Sequence, residues 1–287
     1  MQLLGFPEAQ HYCAAFTARP GDAALSLRTY RRLHLKAGKI LVEHTPALEN
    51  YRACSLRDAE RLLLLAASHY RRTLDLLVAS ASPWASVTAY YGSFHAARAI
   101  LAMFGSAVFD WIVVDVRTSA PGNQELAVRR IGNNLGEEPS VFTGTHEQFW
   151  ELFYNSVPPL VGFVDRSLAP ILTPISGNPA WLTQTRNKLN YDSYSAIAAA
   201  ADFQDLFAPP GFPASLPGEL NTMYAVMEGL IVIAFSLAKQ LSLNTDALLR
   251  LDPAGTLRVK TRSLVYTARS PSLVSRTKKR ALTNLGA

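Results

Sequence analysis

Apolar residues recur at helical spacing along most of the chain. Between residues 56 and 80, leucine and alanine return every three or four positions with charged residues between them, which predicts one long helix capped by Ser55. The Ser82-Pro83 pair interrupts this pattern, and a proline in the first turn predicts a second helix that runs to Gly105. Two long apolar helices joined by a few residues should pack as an antiparallel hairpin.

Other helices are predicted on both sides of this hairpin. Asn178 before Pro179 is a typical helix start, and Asp192 is placed to cap the helix that follows. The segment before the hairpin has Leu33 and Ile40 among its apolar positions and is predicted to be helical as well. These predicted helices cover residues 22–44, 145–157, 179–191, 193–207 and 218–242.

Two segments have the pattern of β-structure. Residues 107–117 are rich in β-branched and aromatic side chains, which predicts a strand or an extended insertion that lasts to about residue 144. From Thr256 onward, Leu257 and Val259 alternate with basic residues, as in a strand with one basic face. Such a face could bind nucleic acid, or its charges could protect an edge strand from aggregation.

The sequence therefore predicts a mainly α protein, a helical bundle with a small β insertion and a basic, partly β C-terminal extension. The predicted regions are an N-terminal helical segment (1–54), the bundle (55–245) with the insertion at about 106–144, and the extension (246–287). The strongest apolar run, Gly229 to Ala238, is about half the length needed to cross a bilayer, so we expect a core helix and no membrane association.

Positive charge is concentrated at the C-terminal end. Residues 1–252 carry 20 basic and 22 acidic side chains, a net charge of −2, whereas the whole chain is at +6. A basic tail on a near-neutral body is typical of proteins that bind nucleic acid or another polyanion, and equally of a solvated tail that aids solubility. The basic residues after Asp252 are Arg258, Lys260, Arg262, Arg269, Arg276, Lys278, Lys279 and Arg280.

Several chemistries lack their sequence motifs. The two cysteines, Cys13 and Cys54, are far apart and the six histidines are scattered singly, so neither a metal site nor a disulfide framework is predicted. The sequence contains no glycine-rich phosphate loop, dinucleotide fingerprint, serine-hydrolase elbow or zinc-protease motif, so no cofactor is expected. Cysteine usage and the lack of a signal-peptide pattern predict a cytoplasmic protein.

Polar residues interrupt the apolar surface of the second hairpin helix. Tyr91, His95 and Arg98 follow one another at i, i+4 and i+7, which confines them to a stripe about 60° wide. We call these three residues the polar stripe. Buried polar groups are costly without partners. Each member could therefore be a satisfied core residue, with Arg98 bound to a carboxylate of the preceding helix, or part of a functional site.

A second polar cluster lies in the segment 185–194, TRNKLNYDSY. Within nine residues it contains an arginine, a lysine, two asparagines, two tyrosines and an aspartate. Such a donor-rich helix end suits a phosphate or a carboxylate. A solvated helix end with Leu182 and Leu189 docked inside would have the same composition.

The two clusters together resemble the HEPN superfamily of helical-bundle proteins. Members show a helix similar to AYYGSFHAARAIL, residues 89–101, and later an arginine followed by four to six residues and a histidine. The resemblance covers residues 55–105 and 178–242. The residues that match are Tyr90, Tyr91, Phe94, His95, Ala96, Ala97, Arg98, Ala99 and Leu101 in the first pattern, and Arg186 and Asn187 at the start of the second.

The second pattern lacks its histidine, because no histidine follows His146 and Tyr191 stands in its place. In the family's ribonucleases this arginine and histidine, brought together across a dimer, are taken to cleave RNA without a metal ion. A phenol with an ordinary pKa of about 10 is a poor general base near neutrality, where imidazole is well suited. The resemblance therefore implies RNA binding without much turnover, unless His95 supplies the proton transfer.

Three functions follow as hypotheses. The first is an RNA- or partner-binding subunit of a bacterial toxin–antitoxin or phage-defence system, a homodimer or hetero-complex that binds RNA or an acidic protein. The second is an active metal-independent endoribonuclease, with Arg186 on the phosphate, Asn187 positioning it, and Tyr191 or His95 handling the proton. The third is a structural scaffold. The residues predicted to bind RNA or the partner are Tyr91, Arg98, Lys188, Arg258, Lys260, Arg262, Lys278, Lys279 and Arg280.

Overall fold

The computed structural model describes residues 1–17, 27–34, 40–42, 46–79, 81–109, 111–120, 123–132, 140–192 and 216–243. The predicted helix 193–207 and the whole C-terminal extension, 246–287, lie outside the described residues. Within the described ranges the fold is mainly helical with a small antiparallel sheet, as predicted. The elements are α1 (Phe6–Thr17), α2 (Leu27–His34), β1 (Ile40–Val42), α3 (Pro46–Val78), α4 (Ser82–Met103), β2 (Ser106–Phe109), β3 (Ile112–Ala120), β4 (Asn123–Arg130), α5 (Thr145–Ser156), α6 (Trp181–Tyr191) and α7 (Leu216–Gln240).

Helices α3 and α4 form the predicted hairpin, which is the most extensive contact between elements. Helix α4 begins at Ser82 with a proline in its first turn, as predicted. Helix α3 begins at Pro46, well before the predicted start at residue 56. Ser55 is therefore not a helix cap: it is fully buried within α3, and its hydroxyl donates to the Ala102 carbonyl oxygen at 3.3 Å. The predicted boundary between residues 54 and 55 falls inside this helix.

Helix α7 packs against the face of α4 that carries small residues. A Cβ atom at Gly92 would lie 3.0 Å from Cγ and Sδ of Met227, so the absence of a side chain lets the two helices approach this closely. By length and composition α7 could span a membrane. Most of that segment, Leu220 to Gln240, is buried inside the fold, which is typical of the core helix of a soluble protein.

The four strands form one antiparallel sheet in the order β1-β4-β3-β2. The insertion predicted after α4 supplies β2, β3 and β4, and Val114 and Leu126 are among its buried residues. Strand β1 comes from the segment 22–44, which was expected to be one helix, and Leu41 pairs with Leu126. Among the described residues of this segment, α2 is helical as expected, and Ile40–Val42 is a strand. The apolar run at Ile40–Val42 instead pairs with β4, which lies about eighty residues further along the chain, and the local pattern does not reveal this partner.

Helices α5 and α6 lie against α4. Aromatic rings join α5 to α4, with the Phe94 and Phe149 ring centroids 4.6 Å apart. A series of 3-10 turns between residues 158 and 177 connects α5 to α6. The Asn178 side-chain oxygen accepts the Ala180 N–H at 3.0 Å, so it stabilises the turn that precedes α6.

Candidate anion-binding site

The phenol of Tyr90 joins three helices at one point. Tyr90 is fully buried in α4, and its hydroxyl lies 2.7 Å from Nδ1 of His146 in α5 and 3.3 Å from the hydroxyl of Thr183 in α6. The indole N–H of Trp150, also in α5, donates to the same oxygen at 3.3 Å. These side-chain hydrogen bonds link α4 to α5 and α6.

Arg186 lies beside this network and is buried to all but 9% of its surface. Its guanidinium carbon is 4.8 Å from the centroid of the Tyr90 ring, a cation–π contact, and Nη1 donates to the Tyr91 hydroxyl at 3.4 Å. Nε is buried, and no described residue accepts a hydrogen bond from it. Within the described part of the chain, no ion pair joins Arg186 to a carboxylate.

A buried guanidinium without an anion is unfavourable. An arginine does not release its proton in proteins, so burial cannot be offset by neutralisation. Its five N–H donors match the oxygens of phosphate or carboxylate, and the single hydrogen bond to Tyr91 uses only one of them. Arg186 therefore has unused donors that are already dehydrated and held in place, as a site for an anion requires.

The members of the polar stripe face different neighbours. Tyr91 contacts Arg186, as described above. The His95 ring stacks on the His69 ring of α3, with the ring centroids 5.2 Å apart, and its buried Nδ1 has no hydrogen-bond partner within the described ranges. Arg98 lies over the Phe94 ring at 5.6 Å and lines a small cavity together with Asp58 of α3.

His95 and His146 are both kept neutral near pH 7. Burial, with His69 and Arg98 adding to it, lowers the pKa of His95 to about 4. Burial also lowers the pKa of His146, and the charges of Arg186 and Arg98 lower it further. The charge of Arg186 thus lowers the pKa of His146 and does not contribute to the lowered pKa of His95. The histidine of α5 is therefore the one that this charge affects.

The end of α6 presents mostly exposed side chains. Tyr191, predicted to replace the missing histidine, is 77% exposed, and Lys188 is exposed as well. Five residues of helix rotate Tyr191 about 140° from Arg186, so the two side chains leave the helix on different sides. Asn187 is half-buried, and its Oδ1 accepts no hydrogen bond from the residues that the structure describes. The predicted basic residues of the tail, from Arg258 to Arg280, lie outside the described residues.

Sequence reasoning assigned no role to His146, which the structure places at the centre of the site. His146 stands alone in the sequence, 40 positions before Arg186, so no motif of fixed spacing includes it. The signal that could have found it is helical periodicity: Phe149 and Trp150 follow at i+3 and i+4, which puts the imidazole on the buried aromatic face of α5.

Comparison of the chain with protein-family models, with curated proteins and with solved structures finds no match. The class of this protein is therefore described from its own fold and site. It is a mainly helical protein with a small antiparallel sheet and a buried arginine held between two tyrosines.

Proposed function

We propose that the protein is an RNA-binding subunit with a HEPN-like helical bundle, in which Arg186 holds a backbone phosphate. The observation that carries this proposal is the buried guanidinium of Arg186, which has donors to spare and no carboxylate partner among the described residues. By the resemblance, its setting is a bacterial toxin–antitoxin or phage-defence system. An acidic protein partner is the alternative source of the anion.

Asn187, the residue after Arg186, bears on the choice between RNA and DNA. Its side chain leaves α6 about 100° round the helix from that of Arg186, and no described residue donates a hydrogen bond to its Oδ1. A ribose 2′-hydroxyl is a donor that lies next to the phosphate in RNA and is missing from DNA. We therefore expect Asn187 to favour RNA over DNA.

Binding of a labelled single-stranded RNA tests the proposal. We expect Arg186→Ala to weaken binding by about tenfold to a hundredfold, because it removes charge-assisted hydrogen bonds worth about 1.5–3 kcal/mol. Arg186→Lys should recover part of the loss, since it keeps the charge and loses the planar fork. A DNA strand of the same sequence should bind more weakly, with the difference reduced in Asn187→Ala.

Arg52 offers a matched control. It is also a buried arginine over a tyrosine ring, 5.3 Å from the centroid of Tyr12, but it forms an ion pair with Glu49 at 3.3 Å. Arg52→Ala should leave RNA affinity unchanged in folded protein. Equal affinities of the wild type and Arg186→Ala would contradict the proposed function.

An active metal-independent endoribonuclease is a second candidate, because a histidine does lie in the network beside Arg186. The two proton-transfer groups expected from the sequence support it less well. Tyr191 is exposed, and a His95 with a pKa near 4 is a weak base at neutral pH. Incubation with total RNA in EDTA tests this candidate: cleavage that Arg186→Ala abolishes would identify a ribonuclease, and intact RNA would exclude metal-independent cleavage and leave the binding measurements to decide.

A further inference from the structure

The His146 imidazole lies beside two aromatic rings, and an arginine guanidinium lies over each of them. Tyr90 and Phe94, one turn apart on α4, stack at 6.1 Å with 13° between their planes. Arg186 lies over the first ring and Arg98 over the second. His146 contacts both rings, through the Tyr90 hydroxyl at 2.7 Å and at 4.8 Å from the Phe94 centroid. Its ring is thus the group that both guanidinium charges reach.

The hydrogen bonds of Tyr90 bear on where His146 carries its proton. The Trp150 indole can only donate, so the phenol oxygen accepts there. The 2.7 Å contact with Nδ1 of His146 is at the short end of the range for an N–H donor and in the usual range for an O–H donor. We assign the phenol as the donor to Nδ1, an arrangement in which the Thr183 hydroxyl donates to Tyr90. In the neutral ring the proton is then on Nε2.

The Nε2–H of His146 is open to a ligand. No described residue hydrogen-bonds this nitrogen, and the ring is only half-buried. The N-terminus of α5, which begins one residue earlier, does not compete as an anion site. The Glu147 carboxylate folds back over it, with Oε2 3.0 Å from the position that a Cβ of Gly144 would occupy.

We propose that His146 is a second anion-binding residue, whose Nε2–H donates to the same phosphate that Arg186 holds. This inference rests on the proposed function, since the ligand is the RNA phosphate. Tyr90 acts as a positioning residue, because it accepts no proton from the ligand and only fixes the tautomer and the ring. The site then presents two kinds of donor: a permanent cation from α6 and a neutral N–H from α5.

Affinities of five proteins for the same labelled single-stranded RNA test the inference: wild type, Arg186→Ala, His146→Ala, His146→Gln and the Arg186/His146 double alanine variant. We expect His146→Ala to weaken binding about tenfold. His146→Gln should retain most of the affinity, because its side-chain amide offers an N–H near the position of Nε2. The double variant should bind no more weakly than the product of the two single losses, and competition by inorganic phosphate should weaken in each single alanine variant.

His69→Ala is the matched control, because His69 is also a half-buried histidine in a ring stack but lies outside the Tyr90 network. Far-UV circular dichroism and thermal unfolding check that each variant is folded, and His146→Gln keeps the test decisive if His146→Ala does not fold. A wild-type affinity in His146→Ala, or a loss in His146→Gln or His69→Ala as large as in His146→Ala, would overturn the inference while the loss in Arg186→Ala upholds the proposed function. A wild-type affinity in Arg186→Ala would overturn both.

Discussion

One hydroxyl, that of Tyr90, connects residues of three helices, and its removal should be costly. Tyr90→Phe leaves the Trp150 N–H without its acceptor and His146 Nδ1 without its donor in a buried site. We expect a loss of about 2 kcal/mol in the free energy of unfolding, because unsatisfied buried polar groups cost about 1–3 kcal/mol. Urea denaturation measures it.

Tyr154 provides the comparison for this change. It is buried in α5 as well, but its hydroxyl has no hydrogen-bond partner in the described part of the chain, and burial raises its pKa. Tyr154→Phe removes a polar atom that nothing satisfies, so it should be neutral or slightly stabilising. Equal destabilisation of the two variants would show that the Tyr90 network does not contribute to stability.

His95 makes folding sensitive to acid. Burial lowers its pKa in the folded state to about 4, below the ordinary value of 6.5, so between these values the unfolded chain binds a proton that the folded chain does not. Stability due to this group is complete above about pH 6.5 and falls as the pH drops towards 4, by on the order of 3 kcal/mol. His95→Phe keeps a ring in the stack, so it should lose stability less steeply over this range. Urea denaturation from pH 7 to pH 4 compares the slopes, and identical slopes would contradict the assignment.

At the residue scale, the sequence allowed prediction of Arg186 and Tyr91 as candidate site residues, and the structure places their side chains in contact. It did not allow prediction of His146. Local spacing identifies side chains that share one helix face, whereas the contact of His146 with Tyr90 depends on how α5 docks on α4. Tyr191 was selected for its place in a motif, but helix rotation puts it in solvent.

At the scale of elements, the hairpin was predictable because local sequence signals indicate both of its helices: apolar periodicity in each, and the proline at the start of α4. The residue at which α3 begins was not predictable. Ser55 has the chemistry of a cap, yet its hydroxyl bonds a carbonyl of the neighbouring helix. A serine cannot signal by itself which of these two uses it serves. Strand β1 was missed for a related reason, since its pairing partner is distant in the sequence.

The close approach of α4 and α7 gives a prediction at this scale. A branched side chain at Gly92 would press on Met227, and the Cβ alone would already lie at 3.0 Å. We expect Gly92→Val to lower the free energy of unfolding by about 1–3 kcal/mol, the usual cost of overpacking. Gly92→Ala should cost less, because the flexible methionine can yield and alanine favours the helix.

Gly162 is the control position, because a Cβ there would have no atom within 4 Å. Gly162→Val should change thermal stability little. If Gly92→Val were as stable as the wild type, the glycine would not be what sets the spacing of these two helices.

At the scale of the whole molecule, positive charge occurs in two settings, one buried and one in a highly basic segment, and salt should affect them differently. The buried guanidinium of Arg186 is shielded from salt and can bind one anion with defined geometry. The basic residues that follow Asp252 give the chain its net positive charge, and as side chains of a highly basic segment they are expected to attract a polyanion without geometric selection.

The fold was predictable in outline because a mainly helical bundle needs only local periodicity. The site was predictable in part, because it depends on three helices meeting.

This division predicts different salt dependences for two sets of variants in the full-length chain. Replacing Lys278, Lys279 and Arg280 by glutamine should reduce the slope of log affinity against log salt by about 2, since each phosphate contact to a single strand contributes about 0.7. Arg186→Ala should lower affinity at every salt concentration while changing the slope by less than one. RNA titrations at several salt concentrations measure both quantities. A slope that is unchanged in the triple variant would mean that the tail does not contact the RNA backbone, and RNA binding would then depend on the helical bundle alone.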